Sequence, residues 1–261
     1  MTTIGFLHTA EVHVATFRGL FAELAPPGLD DLHLVDEALL ADARRTGAAP
    51  GLAGRLEELA AAGADLIVCT CSTIGGAAET TTAKVPAPET TTTKTPDTET
   101  TTTKTPDTET TTTEAPAPET TTAKAPGTET TARVPVVRLD RPMAEAAVAA
   151  GDRIAVVATV ESTLEPTIAL IRSVADRPVT LIPSPCLTAW RHFEAGDPTA
   201  YDEEIAAHVR TIAGTADVIV LAQASMAGAA ALLPGLPVLT SPRSAVEAAI
   251  RRATTLKTTG R

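Results

Sequence analysis

Aromatic side chains are scarce in this chain of 261 residues: one Trp, one Tyr and four Phe. A core must therefore be built from Ala, Val, Leu and Ile, in a chain long enough for one large or two small domains. Cysteine is scarce too, with three residues of which two are nearly adjacent, so no disulfide framework is expected. Positive charge is in deficit. A formal net charge of −11 argues against nucleic acid or an anionic membrane surface as partner, since both need a cationic face. No apolar run approaches the roughly 20 residues of a membrane helix. The opening MTTIGFLHTAEVH lacks the basic start and apolar block of a signal peptide. These absences lead to the expectation of a soluble, acidic, cytoplasmic protein.

What is present begins with a repeat. From Glu79 the chain reads ETTTAKVPAP, ETTTTKTPDT, ETTTTKTPDT, ETTTTEAPAP, ETTTAKAPGT, five ten-residue units with 23 Thr and no aromatic residue, Leu or Ile. Such a segment cannot bury enough apolar surface to offset its ordering entropy, so 79–128 is expected to be a disordered insert.

With the insert set aside, two halves align. ADLIVCTCST (64–73) matches ADVIVLAQAS (216–225) at a spacing of 152, and VPVVRLDRPMAEAA (134–147) matches LPVLTSPRSAVEAA (236–249) at 102. The spacings differ by 50 residues, the length of the five repeat units. A third pair, IGFLHTAE (4–11) and IAVVATVE (154–161), shares Ile, Thr and Glu at equal offsets. Three blocks in one order indicate a duplication. The expected organisation is a first α/β half at 1–78 and 129–150 interrupted by the insert, and a second half at 151–261 whose C-terminal segment is free to pack back on the first.

Each half alternates short β-branched runs with Ala-rich stretches. Strands are expected at 3–8, 32–36, 65–70, 135–139, 153–158, 178–183, 217–222 and 237–240, with helices such as 52–62, 143–150, 163–175 and 201–214 between them. Apolar strands separated by helices imply parallel sheets covered on both faces. The expected fold class is α/β, two duplicated parallel-sheet, flavodoxin-like half-domains facing one cleft. Ligands bind such sheets beyond the carboxyl ends of the strands. Cys71, Ser72 and Thr73 fall at that edge of one sheet, and Gln223, Ala224 and Ser225 at the same edge of the other.

On these residues the chain resembles the aspartate/glutamate/hydantoin racemase superfamily, which also includes arylmalonate decarboxylase and maleate isomerase. The resemblance covers all but 79–128. It is carried by the duplicated halves, by Cys71-Ser72-Thr73 where the family commonly has Cys-Asn-Thr, and by Ala158-Thr159-x-x-Ser162 opening the second half. It implies a cofactor-independent and metal-free site in which cysteines on either side of the substrate's α-carbon move a proton, while amides and hydroxyls after each cysteine hold the carboxylate.

One departure matters: Cys71 aligns with Gln223. A Gln side chain cannot take or deliver a proton at useful rates, though its amide can hydrogen-bond a carboxylate or enolate. The expectation is therefore single-thiol carbanion chemistry on a small carboxylic acid, racemase/isomerase-like or decarboxylase-like, with Cys71 catalytic. Substrate contacts are expected from His8, Thr9, Ser72, Thr73, Thr159, Ser162, Gln223, Ala224 and Ser225. The rival from another class is a non-catalytic small-carboxylate-binding protein, and a thiol hydrolase is a third reading. Self-association into a homo-oligomer is left open.

Around this set, Cys69 reads as core, and Cys69 and Cys71 lack the further ligands a metal would need. Cys186, just after a second-half strand, is the one other thiol that could replace the missing one. His13, His33, His192 and His208 read as structural. Arg141 and Arg243 follow the last strand of each half and read as salt-bridged or as partners for a second substrate carboxylate. Trp190 and Phe193 read as cleft wall or packing.

Overall fold

The computed structural model describes residues 1–81, 83–84 and 133–259. The first half runs β1 (Thr2–His8), α1 (Val12–Leu24), β2 (Leu29–Val35), α2 (Glu37–Thr46), α3 (Leu52–Ala61), β3 (Leu66–Cys69) and α4 (Ser72–Thr80). Two short antiparallel strands follow, β4 (Ala83–Lys84) and β5 (Arg133–Val134), then β6 (Val136–Arg138) and α5 (Arg141–Ala150). The second half runs β7 (Arg153–Ala158), α6 (Glu161–Val174), β8 (Thr180–Pro185), α7 (Trp190–Glu194), α8 (Pro198–Ile212), β9 (Val218–Leu221), β10 (Val238–Thr240) and α9 (Pro242–Thr259). Short 3-10 segments lie at Leu187–Ala189 and Ala224–Leu232.

The expected α/β class holds. Two four-stranded parallel sheets have the orders β2-β1-β3-β6 and β8-β7-β9-β10, the same order in each half. The middle strands LIVC and VIVL are buried at every position, because parallel strands joined by crossover helices are covered on both faces. The edge strands deviate most from expectation: β2 begins at Leu29 instead of 32, and β8 spans 180–185 instead of 178–183. The stretch after β9 also differs from its counterpart. Where α4 is α-helical, Ala224–Leu232 is wound as 3-10.

The halves exchange their last helices. In α5, Met143, Ala144, Ala147 and Val148 share a core with Ile154, Val156 and Val220 of the second sheet. In α9, Ala245, Val246, Ala249 and Ala253 share a core with Ile4, Phe6 and Leu66 of the first. Each helix therefore covers the sheet of the other half.

The Thr-rich insert lies outside the described residues except near its start. Glu79 and Thr80 complete α4, and Glu79 pairs with Arg141 at 2.6 Å, so the ordered helix reaches past the expected boundary at 78. Among the described residues no helix is long and apolar enough to cross a membrane, and no His/Cys/Asp/Glu group could hold a metal ion.

Candidate active site

Strand β3 ends at Cys69, and the chain leaves the sheet through Thr70 to Cys71, which precedes the first turn of α4 in extended geometry. Cys71 is buried and lines a cavity of about 60 Å³. One water needs about 10–15 Å³, so the space suits a ligand of a few heavy atoms. Thr9, Thr70, Ser72 and Thr73 share this wall from the first half. Val160, Thr163, Gln223, Ala224 and Ser225 face them from the second. A wider cavity of about 640 Å³ shares Ala10, His13, Phe193, Ala224 and Ser225 with the first, forming an approach to it. A thiolate at Cys71 would lie at the positive end of α4, where unpaired backbone N–H groups favour negative charge.

The other two thiols are placed differently. Cys69 is fully buried and donates its S–H to the Cys71 carbonyl at 3.7 Å. Burial pushes its thiol up, aided by the neighbouring Cys71, so it stays protonated. Cys186 follows β8 and packs with Tyr201 and Ile205 in the core of the second half; it lines neither cavity. Burial, then the Glu204 carboxylate, raises its thiol as well.

Opposite Cys71, Gln223 is held by a directed network. Its side-chain carbonyl accepts from the Thr159 N–H at 2.7 Å, the Val160 N–H at 3.2 Å and the Thr159 hydroxyl at 3.0 Å. With its proton so used, Thr159 Oγ1 accepts from the Tyr201 hydroxyl at 2.9 Å, which accepts in turn from Ser225 Oγ at 3.0 Å. Three donors around one oxygen fix the amide's orientation and leave its NH₂ as the end available to a cavity ligand. By the duplication, Thr159 and Val160 correspond to Thr9 and Ala10, which border the cavity beside Cys71.

The remaining sequence-derived residues divide. Ser72 lines the cavity, but its hydroxyl donates across the halves to the Ala222 carbonyl at 2.9 Å. Thr73 also faces the other half, 3.5 Å from the Thr163 hydroxyl. His8, Thr159 and Ser162 do not line the cavity: His8 is buried behind Thr70, Thr159 is buried with its hydroxyl between Gln223 and Tyr201, and the Ser162 hydroxyl is buried without a partner among the described residues. Arg141 and Arg243 pair with Glu79 and Glu23, away from the site. Trp190 and Phe193 do wall the cavity, stacked at 4.5 Å.

Two ionisable cavity residues are not among the contacts expected from the sequence. His13 lines both spaces, and burial holds its imidazole below the ordinary 6.5. Arg44 of α2 lies over the Trp190 ring at 5.2 Å, a cation–π contact between halves at the cavity wall. Nothing in the local sequence marks either, because helices from different parts of the chain bring them there. Arg138 is a third omission that left a signal, a charge inside the apolar run VPVVRLD. It is buried, forms a bidentate pair with Asp140 at 2.6 and 2.8 Å, and reaches the Ser72 carbonyl at 3.4 Å, bracing the start of α4.

No protein-family model and no curated protein sequence matches the chain. Solved structures do match. Aspartate racemase from Picrophilus torridus aligns with a TM-score of 0.66 at 11% identity, over 97% of this chain and 95% of that one. Allantoin racemase from Klebsiella pneumoniae aligns with a TM-score of 0.57 at 17% identity, over 100% and 89%. Glutamate racemase from Thermus thermophilus, solved with β-chloro-D-alanine, aligns with a TM-score of 0.55 at 19% identity, over 99% and 82%. This chain has the fold of the aspartate, glutamate and allantoin racemases.

Proposed function

We propose that the protein is a cofactor-independent enzyme that makes and reprotonates a carbanion at the carbon beside the carboxylate of a small acid. The observation that carries this reading is Cys71, at the N-terminus of α4, lining a small cavity closed from the other half by Gln223. The Cys71 thiolate removes or returns the α-proton. Backbone N–H groups at the start of α4 and the Thr9 and Thr73 hydroxyls bind the carboxylate, and the Gln223 NH₂ stabilises the charge that develops on it. With one thiol, proton transfer from one face is favoured, as in a one-base isomerisation or a decarboxylation followed by protonation.

The test is a panel of amino acids, hydantoins and substituted malonates incubated in deuterated water. Deuterium at the α-carbon, or released carbon dioxide, establishes carbanion chemistry and names its type. Saturable binding with neither outcome favours the second reading, a small-carboxylate-binding protein. That reading draws on Gln223, whose fixed amide offers a donor where a second base would stand.

A further inference from the structure

Behind the cavity wall, four polar side chains form a continuous chain through an otherwise apolar region. Thr70 Oγ1 lies 2.9 Å from His8 Nδ1, His8 Nε2 lies 2.8 Å from His33 Nδ1, and His33 Nε2 lies 2.6 Å from Asp31 Oδ2. The two imidazole planes are nearly parallel and meet edge to edge, with ring centroids 5.1 Å apart, beside Phe6 and Phe17. One end of this chain borders the cavity, since Thr70 lines it. The other reaches solvent: the His33 side chain is 2% exposed and that of Asp31 27%. The Thr70 hydroxyl has a second acceptor, the Leu7 carbonyl at 3.0 Å.

With Asp31 ionised and His8 neutral, these contacts admit two proton arrangements. In the empty state Asp31 is ionised, His33 donates to it from Nε2, His8 donates from Nε2 to His33 Nδ1, and the Thr70 hydroxyl donates to His8 Nδ1. In the filled state one proton is added. His33 carries hydrogens on both nitrogens, His8 carries its own on Nδ1 and donates to Thr70 Oγ1, and the Thr70 hydroxyl is released to the Leu7 carbonyl or to the cavity. Changing the His8 tautomer therefore reverses the hydroxyl at the cavity wall.

We propose that Thr70, His8, His33 and Asp31 form a one-proton reservoir that takes up a proton from the cavity and returns it. This rests on the carbanion chemistry proposed above. On filling, a cavity group gives a proton to Thr70 Oγ1, the Thr70 hydroxyl proton passes to His8 Nδ1, and the His8 Nε2 proton passes to His33 Nδ1. The charge left behind is matched by the imidazolium formed beside the Asp31 carboxylate. Emptying reverses each transfer. While the reservoir is filled, the released Thr70 hydroxyl exchanges its hydrogen with water in the cavity, so the proton returned carries the solvent's isotope.

The charged and titratable groups facing the imidazoles are Asp31 on β2 and His13 and Arg18 on α1. Burial, then His33, His13 and Arg18, lower His8 from 6.5 to about 3, which keeps it neutral and leaves it a carrier. Burial also lowers His33, against the pull of Asp31, which favours the empty state.

The test uses the full chain labelled with ¹⁵N-histidine. Ring nitrogen shifts are followed between roughly pH 5 and 8 without any ligand. The expected result is that His33 gains a proton as the pH falls while His8 stays neutral and moves its hydrogen from Nε2 to Nδ1 in the same transition. A His8 tautomer that does not change as His33 titrates overturns the reservoir. In deuterated water, Thr70→Val is expected to slow α-deuterium exchange by about tenfold or more, with Thr70→Ser within about threefold of the parent. Equal rates for Thr70→Val and parent also overturn it. If no acid exchanges its α-proton, the enzymatic reading fails and the reservoir is judged on the tautomer change alone, which needs no substrate.

Discussion

The side-chain carbonyl of Gln223 sits 2.7 Å from the Thr159 N–H, inside a turn whose donors it fills from within the protein. In the first half the matching turn, Thr9 and Ala10, borders the cavity beside Cys71. Gln223→Cys places a thiol at the position opposite Cys71 and frees the Thr159 and Val160 donors for a carboxylate. The variant is expected to exchange the α-proton of a bound acid from both faces, where the parent does so from one. Chiral analysis of the recovered acid reads this, and racemisation as fast in the parent would show a second base already present. A misplaced group about 1 Å away can cost roughly a hundredfold in rate, so the gain is expected in stereochemistry before speed.

Cys71→Ser is expected to lower turnover by at least about a hundredfold with an unchanged melting curve, because a hydroxyl is a far weaker base than a thiolate. Cys69→Ser should do the reverse. It puts a hydroxyl in a fully buried strand, at a cost of about 1–3 kcal/mol, and leaves the cavity thiol in place. Paired melting and isotope-exchange measurements separate the two, and equal activity in Cys71→Ser and parent would remove the catalytic role.

Gly75 of α4 has no room for a methyl group: a Cβ there would lie 3.1 Å from both Cβ and Nε of Arg138. Arg138 cannot easily yield, being held by both oxygens of Asp140. Gly75→Ala is therefore expected to destabilise by about 1–3 kcal/mol despite the better helix propensity of Ala. Gly54 in α3 has nothing within 4 Å of its Cβ position. Gly54→Ala should accordingly gain up to about 1 kcal/mol. Urea titrations of both test the contrast.

His8 gives stability a pH dependence with a definite sign. In the unfolded chain it titrates near 6.5, while in the fold it stays neutral until about 3. Between these values the unfolded state binds more protons, so stability falls as the pH drops through that window and is flat above it with respect to this group. The slope from one such histidine reaches about 1.4 kcal/mol per pH unit, and His13 and His33, also lowered, add in the same direction. Unfolding of the parent and of His8→Asn at pH 6.5 and 5.5 should show a smaller slope in the variant. Identical slopes would mean that His8 is not buried as a neutral ring.

Ala83 pairs with Val134 and Lys84 with Arg133 in an antiparallel ladder, so the two ends of the segment between them are hydrogen-bonded neighbours. Removing 87–130 leaves a four-residue connection of hairpin length. Closure entropy changes by only about 0.6 kcal/mol per doubling of loop length. The deletion is expected to keep the melting temperature or raise it by a few degrees, with turnover unchanged. A tenfold loss of turnover in a normally folded deletion variant would assign the segment a part in catalysis. A cut beginning at Glu79 tests something else, because it removes the partner of Arg141 and strand β4.

Much of the architecture was legible because the duplication doubles each signal. The runs around Ile67 and Ile219 are apolar, β-branched and followed by equivalent turns, so their common place in the two sheets could be read from either copy. Edge strands were less legible. LDDLHLV in β2 carries two Asp and a His, and only the neighbouring strand shows it to be part of a sheet. Cys71 and Gln223 were readable because they end duplicated strands. His13, Arg44 and the His8–His33 contact were not, since each depends on helix placement or on which side chains two neighbouring strands turn to the same face. No local pattern encodes either.

The crossed placement of α5 and α9 also bears on how asymmetry arose at the site. One half alone would bare an apolar sheet and carry a helix with nothing to cover, whereas two identical halves would satisfy each other about a twofold axis. The self-sufficient form of the duplicated unit is thus a symmetric pair, in which both strand ends at the cavity are obliged to be the same residue. Joining the pair into one polypeptide lifts that obligation. Position 71 can remain a thiol while position 223 becomes an amide, and a site built for equal partners gains two distinct faces.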